Sequence, residues 1–317
     1  MKFKAVFNRD GGTFRTTDME AYCQRVHAVF EGAGHRLDCH IVEGKDIISA
    51  LEQAFADNSI EGVIAGGGDG TISAAAGLAW KSGIPLGVVP AGTMNLFARA
   101  LALPLDIEAV LETLAGSPVR NVDIATANGR PFVHQFSAGM HARMVQTRDK
   151  MEFASRLGKM RASLQAILGV IANPPRLEVR FDAQIAGDLS RDAHKVSAVS
   201  ISNNPFGENA LMFTDDPAGG QLGIYITEPL DTAGALHLAF DLMRGKLKEN
   251  EAVHHGTASR VELEFPKHRK SVTCVIDGEL LDMPPELEIL QHPGELKVFS
   301  PQVAVGQTDE FPRAAGL

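Results

Sequence analysis

Gly66-Gly67-Gly68-Asp69-Gly70-Thr71 stands between the short apolar run Val63-Ile64-Ala65 and a helix-forming stretch over 72–80. An apolar run too short for a helix, closed by glycines and followed at once by a helical segment, is the strand–turn–helix step of an α/β sheet. Glycine tolerates positive φ and carries no side chain, so main chain in such a turn can approach a ligand closely. The helix behind it offers unpaired N–H groups and the favourable end of its dipole, a combination suited to phosphate. The expected chemistry is nucleotide binding. Asp69 would repel bare phosphate and is expected to face Mg²⁺ or a polar group of the nucleotide, although the loop is also compatible with a tight turn and nothing more.

The same step recurs around this one. Strands are expected over 3–7, 36–42, 62–65 and 85–89, and helices over 17–30, 46–56 and 95–101, with Thr17 as N-cap and Glu20 as its capping-box partner. Alternation at this spacing builds a parallel sheet with its ligands at the carboxyl ends of the strands, where loops 8–12, 66–71 and 90–95 would converge. A helix over 107–115 runs into Gly116-Ser117-Pro118, the expected domain boundary. Beyond it come strands at 121–127, 130–137, 177–181, 195–202, 222–227, 260–265, 272–276, 286–290 and 295–299, with Asn128-Gly129 as a hairpin signal. Helices are expected near 142–171 and 232–244. The expected fold class is α/β. An N-terminal parallel α/β nucleotide-binding domain (1–118) precedes a mostly antiparallel β-sandwich domain (119–300) and a C-terminal tail (301–317).

Composition removes other classes. A net charge of −9 argues against nucleic acid as partner, and 6% aromatic residues argue against a platform for stacking single-stranded bases. Cys23, Cys39 and Cys274 form no C-x-x-C pair and are expected as separate thiols in a reducing compartment, with no structural zinc. The eleven histidines show no metal-binding spacing. No run of about 18 apolar residues is present to span a bilayer, and the N-terminus lacks the apolar core of a signal peptide. The expected location is cytoplasmic, with peripheral contact at the inner face of the membrane. Such contact is expected through Arg143, Arg148, Lys150, Arg156, Lys159 and Arg161, a basic stretch followed by Leu164, Ile167 and Leu168. A solvated helix face is the plain alternative.

Gly67-Gly68-Asp69-Gly70-Thr71 together with Pro90-Ala91-Gly92-Thr93-Met94-Asn95-Leu96-Phe97-Ala98-Arg99 resembles the catalytic-domain signature of the diacylglycerol kinases. That superfamily includes sphingosine kinases, ceramide kinases and bacterial soluble lipid kinases, with NAD kinases as distant relatives. Asn8 with Gly11 and Gly12, Asn121-Val122-Asp123, the stretch from Asn128 to Phe132, and Asp277-Gly278-Glu279 extend the likeness along most of the chain. The resemblance implies ATP and Mg²⁺ as cofactors and an active site in the cleft between the two domains. It implies a lipid substrate, first diacylglycerol or a related glycerolipid and next a sphingosine-like alcohol. Gly66, Gly67, Gly68, Asp69, Gly70 and Thr71 would surround the phosphates, with Asn8, Gly92, Thr93 and Asn95 completing the nucleotide site. Asp69 and Asp123 would serve the metal, and Glu279 would be the general base, with Asp277 and Asp69 as its catalytic neighbours. On the residues alone, Asp277-Gly278 reads as a hairpin turn.

Leu96 stands where many relatives have Asp, and Gly219-Gly220 where they have Asp-Gly near an accessory metal, with Asp215 and Asp216 close by. The Thr that often ends their second strand is not evident near Ile41-Val42-Glu43. These departures put an accessory Mg²⁺ site in doubt. They also keep open a regulatory nucleotide-binding protein without turnover. A homodimer is compatible with the sequence.

Overall fold

The computed structural model describes residues 1–149, 156–181, 194–266 and 273–301. Its first part alternates β1 (Lys2–Asn8), α1 (Met19–Gly32), β2 (Arg36–Val42), α2 (Ile47–Phe55), β3 (Gly62–Gly67), α3 (Asp69–Ser82), β4 (Leu86–Pro90), α4 (Leu96–Ala100) and α5 (Ala109–Gly116). The four strands pair in parallel in the order β2-β1-β3-β4. β3 and β4 are buried along their whole length, as a parallel sheet covered on both faces requires. The cap of α1 is Asp18 rather than Thr17, its carboxylate accepting from the N–H groups of Glu20 and Ala21. Gly83 ends α3 at φ 73°, where a residue with a Cβ would be strained.

The remaining elements are β5 (Val119–Ala127), β6 (Arg130–Phe132), β7 (Gln135–Gly139), α6 (Met140–Asp149), α7 (Arg156–Ala172), β8 (Leu177–Phe181), β9 (His194–Val196), β10 (Ala198–Ser202), β11 (Leu222–Thr227), α8 (Thr232–Met243), β12 (Val253–Ala258), β13 (Arg260–Glu264), β14 (Thr273–Ile276), β15 (Glu279–Asp282) and β16 (Glu286–Phe299). A six-stranded sheet in the order β12-β11-β10-β7-β14-β15 faces the other strands of this part across a core that includes Phe132, Phe136, Ile201, Ile224 and Ile289. The chain is thus α/β, a parallel-stranded N-terminal part followed by an antiparallel one.

The final strand ties the two parts together. β16 runs antiparallel to β5 along most of its length, while Val298 pairs with Leu86 of β4 in the parallel sheet. The register shifts between His292 and Leu296, where Gly294 sits at φ 66°. The sequence pattern suggests two strands here because this bulge interrupts the alternation. The opposite error occurs over 130–137, which is not one strand but β6 and β7 in different sheets. The ladder breaks there because the N–H groups of Val133, His134 and Gln135 all turn to the carboxylate of Asp277. β9 and β10 likewise part at Ser197, whose N–H donates to the Thr227 carbonyl. β12, Val-His-His-Gly-Thr-Ala, carries too little apolar character to be read from sequence.

The expectation of separate thiols fails for two of the three cysteines. Cys23 and Cys39 form a disulfide, because α1 packs back along β2 and brings their Cα atoms to 6.1 Å. Cys274 is free and buried. Among the described residues no helix is long and apolar enough to cross a membrane. The stretch expected as one helix over 142–171 is α6 and α7. Lys150 lies outside the described residues, as does the tail from 302 onward.

Candidate active site

Three loops meet at the carboxyl ends of β1, β3 and β4. Ala91 donates its N–H to the Gly67 carbonyl at 3.0 Å and accepts from Thr13 N–H at 2.8 Å. A Cβ on Gly92 would lie 2.9 Å from Gly68 Cα, one on Gly11 3.2 Å from Gly67 Cα, and one on Gly12 would strike the Ala91 carbonyl. Gly67 is closed in the same way by Thr71 at 2.7 Å, and Gly66 by the rings of Phe7 and Phe14. None of the glycines in 66–70 adopts positive φ. At Gly66 and Gly67 the missing side chain makes room for neighbouring side chains, not for an unusual conformation.

Two glycines differ. Gly70 has nothing within 4 Å of its Cβ position, and Gly68 only Gly92 Cα at 3.8 Å. No side chain caps α3 at Gly68. The N–H groups of Asp69, Gly70 and Thr71 therefore leave the helix end without intrahelical partners, facing open space. Asn8 supports this end from the side, its amide donating to Thr71 Oγ1 at 3.3 Å while its oxygen accepts from Asp10 N–H.

Asp69 is more occupied than its place in the loop suggests. Its Oδ1 accepts from Leu96 N–H at 2.7 Å and its Oδ2 from Asn95 N–H at 3.1 Å, so the carboxylate caps α4. Asn95 sits at φ 51° and spends its side chain within its own loop, accepting from Gly92 N–H and donating to the Gly92 carbonyl. Thr93 stands exposed at the loop tip.

Facing α3 across a cleft of about 530 Å³ is the β14–β15 hairpin. The cleft is lined by Asp69, Gly70 and Ser73 on one side and by Arg130, Asp277 and Glu279 on the other, with Ile48, Leu78 and Pro131 as apolar wall. Glu279 is exposed at the rim and accepts from Arg130 Nη2 at 2.6 Å. Asp277, at φ 47°, accepts from Ser73 Oγ at 2.7 Å and from the N–H groups of Val133, His134 and Gln135 at 2.9, 2.9 and 3.0 Å. Burial pushes its carboxyl above the usual range, and those four donors pull it back toward ionisation. Because Ser73 belongs to α3 and the N–H groups to the second part of the chain, Asp277 pins the two together. Its place is that of a positioning residue.

Asp123 is 1% exposed, and its carboxylate accepts from Gly294 N–H at 2.8 Å, Gly220 N–H at 2.6 Å and Asn204 Nδ2 at 2.7 Å. It holds the bulge of β16 to two other loops, at the position where the resemblance implies a metal contact. The pattern N-V-D identifies a carboxylate at the end of a strand. It does not reveal that donors from 80 to 170 residues away will enclose it.

Sequence reasoning did not single out Arg130, Ser73 or His134 as functional. Arg130 follows the Asn128-Gly129 turn, the one signal that could have marked it. His134 lies against Phe206, and burial lowers its pKa to about 4 despite the pull of Asp69. His141, whose Nδ1 lies 2.6 Å from Ser137 Oγ, is lowered to about 4 by burial and by His134.

An uncapped helix end behind a glycine loop, opposed across a cleft by a carboxylate from the antiparallel part of the chain, is suited to holding a phosphate. Residues 2–127 match the model of the "Diacylglycerol kinase catalytic domain". An uncharacterized protein of Synechocystis is 29% identical over 82% of the chain, which spans 60% of that longer relative. The diacylglycerol kinase of Bacillus subtilis is 26% identical over 89% of the chain and 91% of its own length. Two solved Bacillus anthracis structures share the fold, with TM-scores of 0.72 and 0.66 at 21% and 18% identity. Each covers 94% of the chain, which spans 95% and 96% of theirs, and the second is a diacylglycerol kinase. Residues 2–127 are thus similar to the catalytic domain of the diacylglycerol kinases.

Proposed function

We propose that the protein transfers the γ-phosphoryl group of ATP to a lipid hydroxyl, with diacylglycerol or a related glycerolipid as the first candidate. The observation that carries this reading is the cleft itself. It sets the open glycines and unpaired N–H groups of α3 opposite Glu279, with an apolar wall between them.

ATP, when bound, supplies the phosphoryl group, with Mg²⁺ as its counter-ion. The chain's own part is mostly positioning. The N–H groups of Asp69, Gly70 and Thr71 receive phosphate oxygens, and Gly68 and Gly70 leave room for them. Thr93 adds an exposed hydroxyl beside this cradle. Glu279 accepts the proton of the lipid hydroxyl, and Arg130 holds its carboxylate oriented at the rim. Asp277 fixes the distance between cradle and base. The described residues fit a nucleotide better than a resident metal. Among them no group of three or more His, Cys, Asp or Glu side chains is arranged to hold an ion, and both Asp69 oxygens already accept main-chain N–H groups. No step is therefore assigned to a protein-held Mg²⁺.

Incubation with γ-labelled ATP and a panel of extracted lipids tests the reading. Label in the diacylglycerol product supports it, and label in a sphingosine-type product changes the acceptor. ATP binding without transfer to any lipid refutes it in favour of a nucleotide-binding regulator.

A further inference from the structure

Two desolvated imidazoles, His134 and His141, take no part in the phosphoryl transfer proposed above. His141 has a partner in Ser137. His134 differs. Its main chain is used, the N–H donating to Asp277 Oδ1 and the carbonyl accepting from Asn203 N–H, but its ring makes no hydrogen bond among the described residues. The residue keeps a partly exposed edge, so a ligand can reach it. Asn204 presents a second unpaired group. Its Nδ2 donates to Asp123 Oδ2 at 2.7 Å, which fixes the amide's orientation, because the reverse would set two oxygens against each other. That leaves the buried Oδ1 without a partner among the described residues. Each such group in a folded chain costs stability and calls for an account.

His134 and Asn204 line the same notch, about 10 Å³ in volume, between α4 and the antiparallel part. Leu96, Phe97, Phe206 and Phe213 give it apolar walls, and Thr214, its other polar residue, spends its hydroxyl on the Asp216 carbonyl. The space suits one water-sized group. A neutral imidazole has an N–H to give, and the Asn204 oxygen can only receive. A hydroxyl completes both, accepting from His134 and donating to Asn204 Oδ1. A carbonyl or ester oxygen accepts only and would leave Asn204 unpaired. An ammonium is opposed by the environment. Burial holds His134 neutral, with its pKa near 4 despite the pull of Asp69, and the same desolvation acts on any cation seated beside it. No carboxylate lines the notch to offset that cost.

We propose that this notch seats a second, non-reacting and uncharged hydroxyl of the acceptor, so that the preferred substrate is a lipid with two free hydroxyls such as a monoacylglycerol, a proposal that rests on the lipid-kinase reading. The notch and the cleft share one support. Asp277 holds the His134 N–H on one side and Ser73 of α3 on the other, two residues before Glu279. A ribose hydroxyl has the same hydrogen-bonding chemistry, but the four apolar walls favour a lipid.

The test compares monooctanoylglycerol with dioctanoylglycerol, each dissolved as monomer, in the full chain and its His134→Leu and His134→Asn variants. The wild type should use the monoacyl acceptor with kcat/KM about tenfold higher, the worth of a well-placed pair of hydrogen bonds. His134→Leu should raise KM for that acceptor about tenfold and leave kcat and the KM values for dioctanoylglycerol and ATP unchanged. His134→Asn keeps an N–H donor and should retain part of the preference. Because the ring has no partner to lose, His134→Leu should melt no lower than the wild type at neutral pH. A lower Tm would show the ring serving the fold and would overturn the site. Equal use of the two acceptors by the wild type overturns it, and so does a preference that survives His134→Leu. A rise in KM for ATP instead assigns the notch to ribose and overturns the lipid assignment. If the wild type phosphorylates neither acceptor, yet calorimetry shows monooctanoylglycerol binding that weakens in His134→Leu, the notch stands and the kinase reading fails. Absence of both transfer and binding overturns the notch as well.

Discussion

Gly70→Ala and Gly67→Ala should move stability in opposite directions, although the two residues stand three apart in one loop. At Gly70 an added methyl meets no atom within 4 Å, and the residue lies in the first turn of α3. Alanine restricts the unfolded chain and favours the helix, so the change should stabilise by about 0.5 kcal/mol and raise Tm by roughly 1–2 °C. At Gly67 the methyl would fall 2.7 Å from Thr71 Cβ, whose hydroxyl is the partner of Asn8. Relieving that overlap should cost about 1–3 kcal/mol. Nucleotide affinity separates the variants further. The methyl on Gly70 enters the space assigned to phosphate oxygens, and ATP should bind about 10–100-fold more weakly to a protein that melts higher, a loss of roughly 1.4–2.8 kcal/mol. Calorimetric melting and ATP titration of both variants check this. A Gly70→Ala protein that binds ATP as well as the wild type would refute the cradle, since nothing else in the structure makes that space consequential.

Asp277→Ala should destabilise by about 3–5 kcal/mol, because three main-chain N–H groups lose a charged acceptor at once. Urea unfolding measures it, and a loss below about 1 kcal/mol would remove the clamp. His134 and His141 have folded pKa values near 4 against an ordinary 6.5. The folded state therefore binds fewer protons than the unfolded chain. Their contribution, up to about 3 kcal/mol each, is complete above pH 6.5 and is lost as the pH falls toward 4. Melts between pH 7.5 and 4.5 should show this slope, and a double His→Asn variant should flatten it. Opening the Cys23–Cys39 bridge, which spans 16 residues, should cost about 3 kcal/mol. A Tm indifferent to reductant would contradict that figure.

The parallel half of the fold is legible because its physics is local. Apolar runs such as Val63-Ile64-Ala65, glycine turns and helical stretches each announce their own element, and their alternation fixes the sheet. The convergence of loops 8–12, 66–71 and 90–95 follows from that sheet alone. What the carboxylates do is not local. Asp69, Asp123 and Asp277 are conspicuous as charges, and a charge beside a glycine loop invites a metal or catalytic role. Their partners are main-chain N–H groups of Leu96, Gly294 and Val133, which no residue type advertises. The same blindness explains the break between β6 and β7, made by Asp277, and the pairing of Cys23 with Cys39. Glu279 differs from the other acids. It stands exposed at the rim of the cleft with a side chain, Arg130, as partner, and its role there is the one the proposed function assigns.

Phosphoryl transfer by Glu279→Gln measures the central claim most directly. The exposed position and the loss of one rim ion pair should leave the fold and ATP affinity nearly unchanged, within about 1 kcal/mol. Removing the base should lower turnover by about 10²–10⁴-fold at saturating ATP and lipid. Turnover equal to that of the wild type would contradict the assignment of Glu279 and, with it, the mechanism built across the cleft.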